Sequence, residues 1–509
     1  MRERIAYVHS PDTGVDPDAL EIDSSGLKAP SIEAVRQDRL TLGLDELPRE
    51  VAQVLREDLR ELHLRWAGSR AYKTLDPFTS RVSPGLHVFY TPVDDSTYDP
   101  SRLCSSLQMF GPLDCMSREA FTLTNDQHAP SQPTYYFYQH IESLQQFSES
   151  LATNLCRGDE TCQARSKDLA QAATLDFSFD SPAAGGPGVS KLTAFWPLQT
   201  QSVAAATDAS ETRRTEVGIF TQGSPPNMGA HHIGMGGLLT VLGERKTPSP
   251  TLFGFPSRHR SNSRMRFSST FLQPTGLHPT LQITLSGNQP PGEDADCRPY
   301  AYLTLPKTIF ADRYQLDDEL FMASKNLTAS RYTSLPVDLE APAYTTATWG
   351  SSVLLEMAAP PGEAQQAWTA QVPLHLRYLE LSATGERTIE VPYPAVFWAC
   401  QAHQTVDFTN NPFDRQKLGY DALFDPSTTV FWHVGPSPAD GGDRLMNRIS
   451  VPVLRDEAAS WVGLGTAGVI AVGFAWVLWR IGTSLARHGY RDVSSSERSG
   501  KDTEGKKTR

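Results

Sequence analysis

AASWVGLGTAGVIAVGFAWVLW, residues 458–479, closed by Arg480, contains no charged side chain. A helix of about 20 apolar residues, rising about 1.5 Å per residue, is what the hydrocarbon core of a bilayer requires. Trp461 stands at one end of the run and Trp476 and Trp479 at the other, where indole rings favour the membrane interface. No other apolar run in the 509 residues approaches this length. The alternative is a helix buried in a protein core, but such a helix rarely lacks charge on every face. The reading is therefore a single span with nearly all the mass on its N-terminal side.

Basic flanks stay cytoplasmic. Beyond the span stand Arg480, Arg487, Arg491, Arg498, Lys501, Lys506, Lys507 and Arg509, against Asp492, Glu497, Asp502 and Glu504. Before it, Arg455 sits beside Asp456 and Glu457. The tail is thus expected in the cytoplasm and the body in the lumen of the secretory pathway. The rival topology, a cytosolic body with a lumenal tail, would require that positive tail to cross. Two features agree with a lumenal body. Asn326-Leu327-Thr328 is an N-glycosylation acceptor. The cysteines are six, an even number suited to an oxidising compartment: Cys104, Cys115, Cys156, Cys162, Cys297 and Cys400. The opening MRERIAYVHSPDTG has no apolar core of a signal peptide, which leaves the terminal span as the expected hydrophobic signal.

The net charge of −12 argues against a nucleic-acid partner, because binding phosphates needs a basic face. With 37 Pro and 36 Gly, the composition is turn-rich and largely β. Residues 1–45 are acidic and expected loose, apart from a short strand at Ile5–Val8. Pro48 to Ala67 reads as a helix, with Val51, Leu55, Leu59 and Leu62 at three- and four-residue spacing. LHVFYTP (86–92), KLTAFWPLQ (191–199) and EVGIFTQ (216–222) read as strands, and Tyr135 to Leu155 as a strand continuing helically. Ser105 to Ser117 and Leu123 to Pro133 read as loops. From Thr251 to Cys400, short apolar runs alternate with Pro/Gly turns, the pattern of a β-sandwich. TTVFWHVG (428–435) and NRISVPVLR (447–455) add strands.

The fold class is therefore a mixed α+β N-terminal region (1–225), an all-β sandwich-like domain (226–456), a transmembrane helix (457–482) and a basic, disordered tail (483–509). Cys156 with Cys162, and Cys104 with Cys115, are candidate local disulfides. Cys297 with Cys400 is a third candidate, since both fall in one all-β unit. That bridge would close a loop of about 100 residues and stabilise by about 4–5 kcal/mol in the chain-entropy model. Buried free thiols are the alternative for any of them.

No G-x-S-x-G, H-E-x-x-H, P-loop or C-x-x-C occurs. Asp294-Ala295-Asp296 and Asp16-Pro17-Asp18 have the letters of a metal-binding Asp-x-Asp, but paired acids in Pro/Gly loops read as solvated turns. His231-His232 project in divergent directions and make a poor chelate, so a turn into the strand LLTVLG is expected. SRHRSNSRMR (257–266) reads as a solvated basic loop. No catalytic residue, metal or cofactor is expected.

Five stretches, in order, resemble the PIG-X family in its long fungal form: TLFGFPSRHR (251–260), TFLQPTGLHPTLQITL (270–285), YLTLPKTIFADRYQL (302–316), VPLHLRYLELSATGERTIEVPYPAVFWAC (372–400) and RISVPVLRD (448–456). The likeness covers about 250–480. Its most specific pieces are Leu-Pro-x-x-Ile-Phe-x-Asp-x-Tyr (305–314) and the stretch from His-Leu-Arg-Tyr to Pro-x-x-Phe-x-x-Cys (375–400); residues 1–225 are less alike and carry no separate role. The resemblance implies a non-catalytic, single-span endoplasmic reticulum protein. Its role would be to bind and stabilise the multi-span catalytic subunit of GPI mannosyltransferase I, which adds the first mannose in GPI-anchor biosynthesis. Alternatives are a general lumenal folding factor and a membrane-tethered glycosidase; the latter needs paired carboxylates in a cleft.

In the matched region Leu305-Pro306 should end a strand, and Phe310 and Tyr314 should pack. Leu374, Leu376 and Tyr378 should share one face, with His375 and Arg377 on the other. Pro392 and Pro394 suit an edge strand. Within the span, Gly463, Ala467, Ala471 and Ala475 recur every four residues. Such a small-residue stripe permits close helix approach in lipid, and it is the candidate seat for a membrane partner.

Overall fold

The computed structural model describes residues 1–489 except 24, 125–132, 157–158, 182–187, 207–212, 292–295, 336, 361–365 and 440. The tail from 490 on, and with it the expected disorder there, lies outside the described residues, as do Asp294 and Ala295. Strand accounts for 43% and helix for 21%, so the chain is mostly β, well above the usual strand share. Two compact units emerge: Met1–Leu379 with Thr388–Ile449, and Glu380–Arg387 with the chain from Ser450 onward.

The first unit holds two large sheets. In the first, neighbouring strands run Ser249–Pro256, His232–Val241, Arg214–Gln222, Arg2–His9, Gly26–Gly43, Val189–Ala206, Thr174–Asp180, Leu59–Ala67, Gly85–Pro92, Thr134–Gln139 and Thr122–Thr124, with Glu21–Ile22 paired beside Gly26–Gly43. Every pair is antiparallel except Arg2–His9 with Arg214–Gln222. The expectation of a loose start is overturned. Gly26–Gly43 is an 18-residue strand pairing along its length with Val189–Ala206, and Val35 and Ala34 are fully buried. Pro48 to Ala67 is not one helix either. The helix stops at Glu57, and Leu59–Ala67 is a strand. Leu62, Leu64 and Trp66 follow the period of two that seats them between Gly85–Pro92 and Thr174–Asp180. The stretch expected as a loop at 105–117 begins within the helix Ser101–Leu107, which buries Leu103, Cys104 and Leu107.

The second sheet runs Leu327–Thr333, Gly350–Met357, Cys297–Pro306, Ala395–Gln401, Thr429–Pro436, His259–Phe271, Thr280–Leu285 and Trp368–Pro373. The basic cluster 257–266 lies mostly in a strand, not a solvated loop. The Arg258 guanidinium covers the Phe431 ring at 4.9 Å and donates to the carbonyls of Asp421, Phe424 and Asp425, so its charge is met by backbone dipoles. His232 opens the strand His232–Val241 after a turn onto Gly229.

Aromatic rings join the two sheets. Trp349 meets Tyr136 and Tyr138 edge-on at 4.8 and 5.5 Å, and its indole N–H donates to the Tyr136 carbonyl at 2.9 Å. Phe413 meets Phe78 and Phe255 at 5.3 and 5.4 Å. Each such pair contributes about 0.5–1.5 kcal/mol beyond area burial.

In the second unit, Asp456–His488 is one 33-residue helix whose most apolar 18-residue stretch has a mean hydropathy of 1.8, with no buried side chain. Asp456 and Glu457 complement its N-terminal dipole and Arg487 and His488 its C-terminal one. A helix this long, apolar on every face across its middle and buried nowhere fits a single membrane span. Before it, Ser382 and Arg455 form an isolated bridge; Val453 N–H donates to Gly385 O at 2.9 Å and Asp456 N–H to Ser382 O at 3.3 Å.

Candidate interaction surface

The strand Cys297–Pro306 ends at the proline, which cannot donate onward. After a two-residue turn, Ile309–Phe310 pairs antiparallel with His375–Leu376, Ile309 opposite Leu376 and Phe310 opposite His375. The two most family-like stretches thus meet as one short ribbon. Further backbone bonds tie it down: Arg377 N–H to Thr308 O at 2.9 Å, Leu376 N–H to Leu277 O at 3.0 Å and Ala343 N–H to Tyr378 O at 2.9 Å.

The ribbon inverts the usual sidedness. Arg377 is 7% exposed, its guanidinium 4.5 Å over the Phe310 ring and one N–H donating to Ala341 O at 2.8 Å. Burial pulls its pKa below the ordinary arginine value, with Asp338 opposing. Tyr378 is 69% exposed and Tyr314 62%, with Tyr344 and Leu277 also exposed. The expected alternation fails because the strand is two residues long, so no period of two extends from Leu374 to Tyr378. Phe310 packs as expected. Tyr314 does not: it stands in solvent with Arg313 stacked on it at 4.7 Å and donating to its hydroxyl. A buried cation next in sequence to an exposed aromatic ring is the informative kind of exception to sidedness.

Beside the ribbon, His375 stacks on Phe310 and touches Gln315 Oε1 at 3.0 Å through Nε2. That oxygen only accepts, so Nε2 carries the proton and Nδ1 accepts from His278 Nδ1 at 3.0 Å. Burial, then His278, holds the His375 pKa below its usual value.

The other singled-out residues sit apart. Cys104 is bonded to Cys115, Cys156 to Cys162 and Cys297 to Cys400, and no cysteine is free. Cys297 and Cys400 are direct partners in the sheet ladder. Asn326 is exposed after the helix Glu319–Ser324, at φ 55°, its Nδ2 donating to Thr369 O at 2.7 Å. Gly463, Ala467, Ala471 and Ala475 lie exposed on the long helix. Asp16 accepts from Asp18 N–H at 3.0 Å, a turn-capping contact.

Sequence reading missed one polar cluster, Glu61, His63 and Asp180, on the adjacent strands Leu59–Ala67 and Thr174–Asp180. Alternation along one strand and cross-strand pairing gather them. His63 Nε2 is 3.4 Å from Asp180 and 3.9 Å from Glu61, and Lys417 Nζ is 3.5 Å from Glu61. His63 holds both carboxyls below their usual pKa. The set does not suit a metal. Nδ1 of His63 faces the Arg65 guanidinium at 3.5 Å, a pure donor, so the proton sits on Nε2, where a ligand lone pair would have to be. Lys417 already supplies a cation.

The PIG-X / PBN1 family model matches residues 274–482. A Protein PBN1 of Gibberella zeae is 52% identical over 483 residues, covering 94% of this chain and 95% of the relative. A Protein pbn1 of Neurospora crassa is 47% identical, covering 97% and 98%. One of Emericella nidulans is 37% identical, covering 96% and 97%. With such likeness across nearly the full length, the chain belongs to the PIG-X / PBN1 family.

Proposed function

We propose that this chain is the accessory, non-catalytic subunit that binds and stabilises the multi-span catalytic subunit of GPI mannosyltransferase I in the endoplasmic reticulum, supporting addition of the first mannose to the GPI precursor. Family membership carries the role. The inverted ribbon supports a protein-binding one, since it offers rigid aromatic side chains on a braced base, the kind of residue enriched at interfaces. In this reading the body is lumenal, as regions 1–225 and 226–456, the three disulfides suit that compartment, and the tail is cytoplasmic. Asn326 carries the glycan; an amide joined to a sugar keeps one N–H, enough to retain the bond to Thr369 O. The stripe Gly463, Ala467, Ala471 and Ala475 seats a helix of the partner.

The test is affinity purification of the full chain in mild detergent with mass spectrometry of what accompanies it. Near-stoichiometric recovery of a multi-span mannosyltransferase is expected, reduced by Tyr314→Ala with Tyr378→Ala and by Ala467→Leu with Ala471→Leu. Recovery alone, or with a broad set of unfolded clients, would overturn the subunit role, the second outcome favouring a folding factor.

A further inference from the structure

The second unit contains more than a span. The uncharged run 458–479 measures about 33 Å as helix, close to the roughly 30 Å hydrocarbon core, so its first residues mark the core boundary. Asp456 stands five residues before Trp461, about 7.5 Å of rise. That is the depth of one headgroup layer, about 5–8 Å a side. Whatever is hydrogen-bonded to Asp456 therefore lies among the headgroups. Ser382 is, through its carbonyl, and Ser382 N–H donates in turn to Leu454 O at 3.3 Å. The segment is internally braced: Gly385 N–H donates to Ser382 Oγ at 3.0 Å, and Arg387 donates to the carbonyls of Glu380 and Leu381 at 2.9 and 2.8 Å. Two apolar side chains protrude from it, Leu381 at 42% and Leu454 at 39% exposure. Arg455 lies against Gly385 and meets no carboxylate among the described residues.

We propose that Glu380–Arg387 and residues 450–455 form a collar seated in the lipid headgroup layer, with Leu381 and Leu454 at the acyl boundary and Arg455 against lipid phosphate. The occupant is the bilayer, because the collar continues directly into the span. An apolar side chain left in the headgroup plane gains by turning toward the acyl chains, and arginine is suited to bidentate phosphate contact. Within this unit the collar is hydrogen-bonded to the first turn of the helix, Asp456 N–H to Ser382 O, and so sets the angle between collar and helix.

The inference rests on the span reading, and the experiment separates the two. Because no cysteine is free, Leu381→Cys, Leu454→Cys, Trp461→Cys and Val469→Cys can each be labelled with a small fluorophore in the full chain. Each is placed in phosphatidylcholine nanodiscs carrying a quencher either on the headgroup or deep in the acyl chain. Headgroup quenching at Leu381→Cys and Leu454→Cys comparable with that at Trp461→Cys, and deep quenching at Val469→Cys alone, is expected. Deep quenching at Val469→Cys with none at either collar position overturns the collar. No quenching at Val469→Cys overturns the span itself. Both collar sites are exposed and read independently, and intact disulfides on a non-reducing gel report folding of each variant.

Discussion

Paired replacement of each disulfide, Cys297→Ala with Cys400→Ala, Cys104→Ala with Cys115→Ala, and Cys156→Ala with Cys162→Ala, should destabilise the chain in that order. The bridges span sequence separations of 103, 11 and 6 residues. In the chain-entropy model these correspond to about 4.7, 2.8 and 2.2 kcal/mol at 25 °C. The longest bridge thus exceeds the shortest by about 2.5 kcal/mol, roughly 70-fold in the folding equilibrium. Native geometry does not blur this ranking for Cys297 and Cys400, since their strands are already ladder partners and need no rearrangement when the bond is absent. The assay is denaturant unfolding of the full chain in detergent micelles, followed by tryptophan fluorescence, with midpoint and slope fitted for each variant. Trp398 and Trp432, opposite each other on neighbouring strands of the same sheet, report on its opening. An equal or larger loss for the Cys156 pair than for the Cys297 pair would refute the reasoning, because loop length would then not govern the stabilisation.

Other outcomes follow from buried polar groups. His87 is buried, its Nε2 donating to Ser83 O at 2.7 Å and its Nδ1 accepting from Tyr136, and burial pushes its pKa down from 6.5 to about 4. Below pH 6.5 the unfolded chain takes a proton that the folded chain refuses, so stability is full above 6.5 and falls toward pH 4, by about 3 kcal/mol for this group. His87→Gln should remove about one proton from the pH slope of unfolding in that window; an unchanged slope would contradict the assignment. Arg377→Leu should cost about 2 kcal/mol by losing its charged hydrogen bond and its stack on Phe310. It should also speed hydrogen exchange at 309–315 and 341–344, while unaltered exchange would mean the arginine does not brace the ribbon. Thr328→Ala, which removes the acceptor triplet and leaves Asn326 and its bond to Thr369 O in place, should abolish an endoglycosidase-sensitive mobility shift, and identical migration of both proteins would remove the glycan.

The span was legible because its signal is local: a charge-free run with tryptophans at its ends. The β block from Thr251 to Cys400 was legible for a similar reason, its short apolar runs being punctuated by Pro and Gly. What misled was context. Val51 to Leu62 has helical spacing, yet Leu59 belongs to a strand whose two neighbours come from 85–92 and 174–180. Gly26–Gly43 looks too polar for a strand of a large sheet, because Glu33, Arg36, Asp38 and Arg39 interrupt its apolar pattern. Arg36 reaches Asp168 at 2.9 Å and Trp196 at 4.3 Å, partners that no window of sequence contains. The ribbon failed in the same way. Alternation predicts Tyr378 inside and Arg377 outside, but a two-residue strand sets no alternation, and the Ala341 carbonyl that accepts from Arg377 lies 36 residues away.

The buried Arg65 has a consequence for how the chain comes off the ribosome. It sits at 2% exposure in the first sheet, and its guanidinium is met by Phe177 O and by Gln416 O, each at 2.9 Å. Asp176 beside it is held by Arg415 at 2.7 Å. Until residues 415 and 416 have been made, Arg65 lacks the Gln416 carbonyl, Asp176 lacks Arg415, and Phe78 lacks the ring of Phe413. Non-local closure of this kind is slow, and open strand edges invite pairing with other chains in the interval. The last hydrogen bonds of Arg65 therefore wait on a carbonyl 351 residues further along the chain, so the first sheet cannot close fully until nearly the whole body has been made.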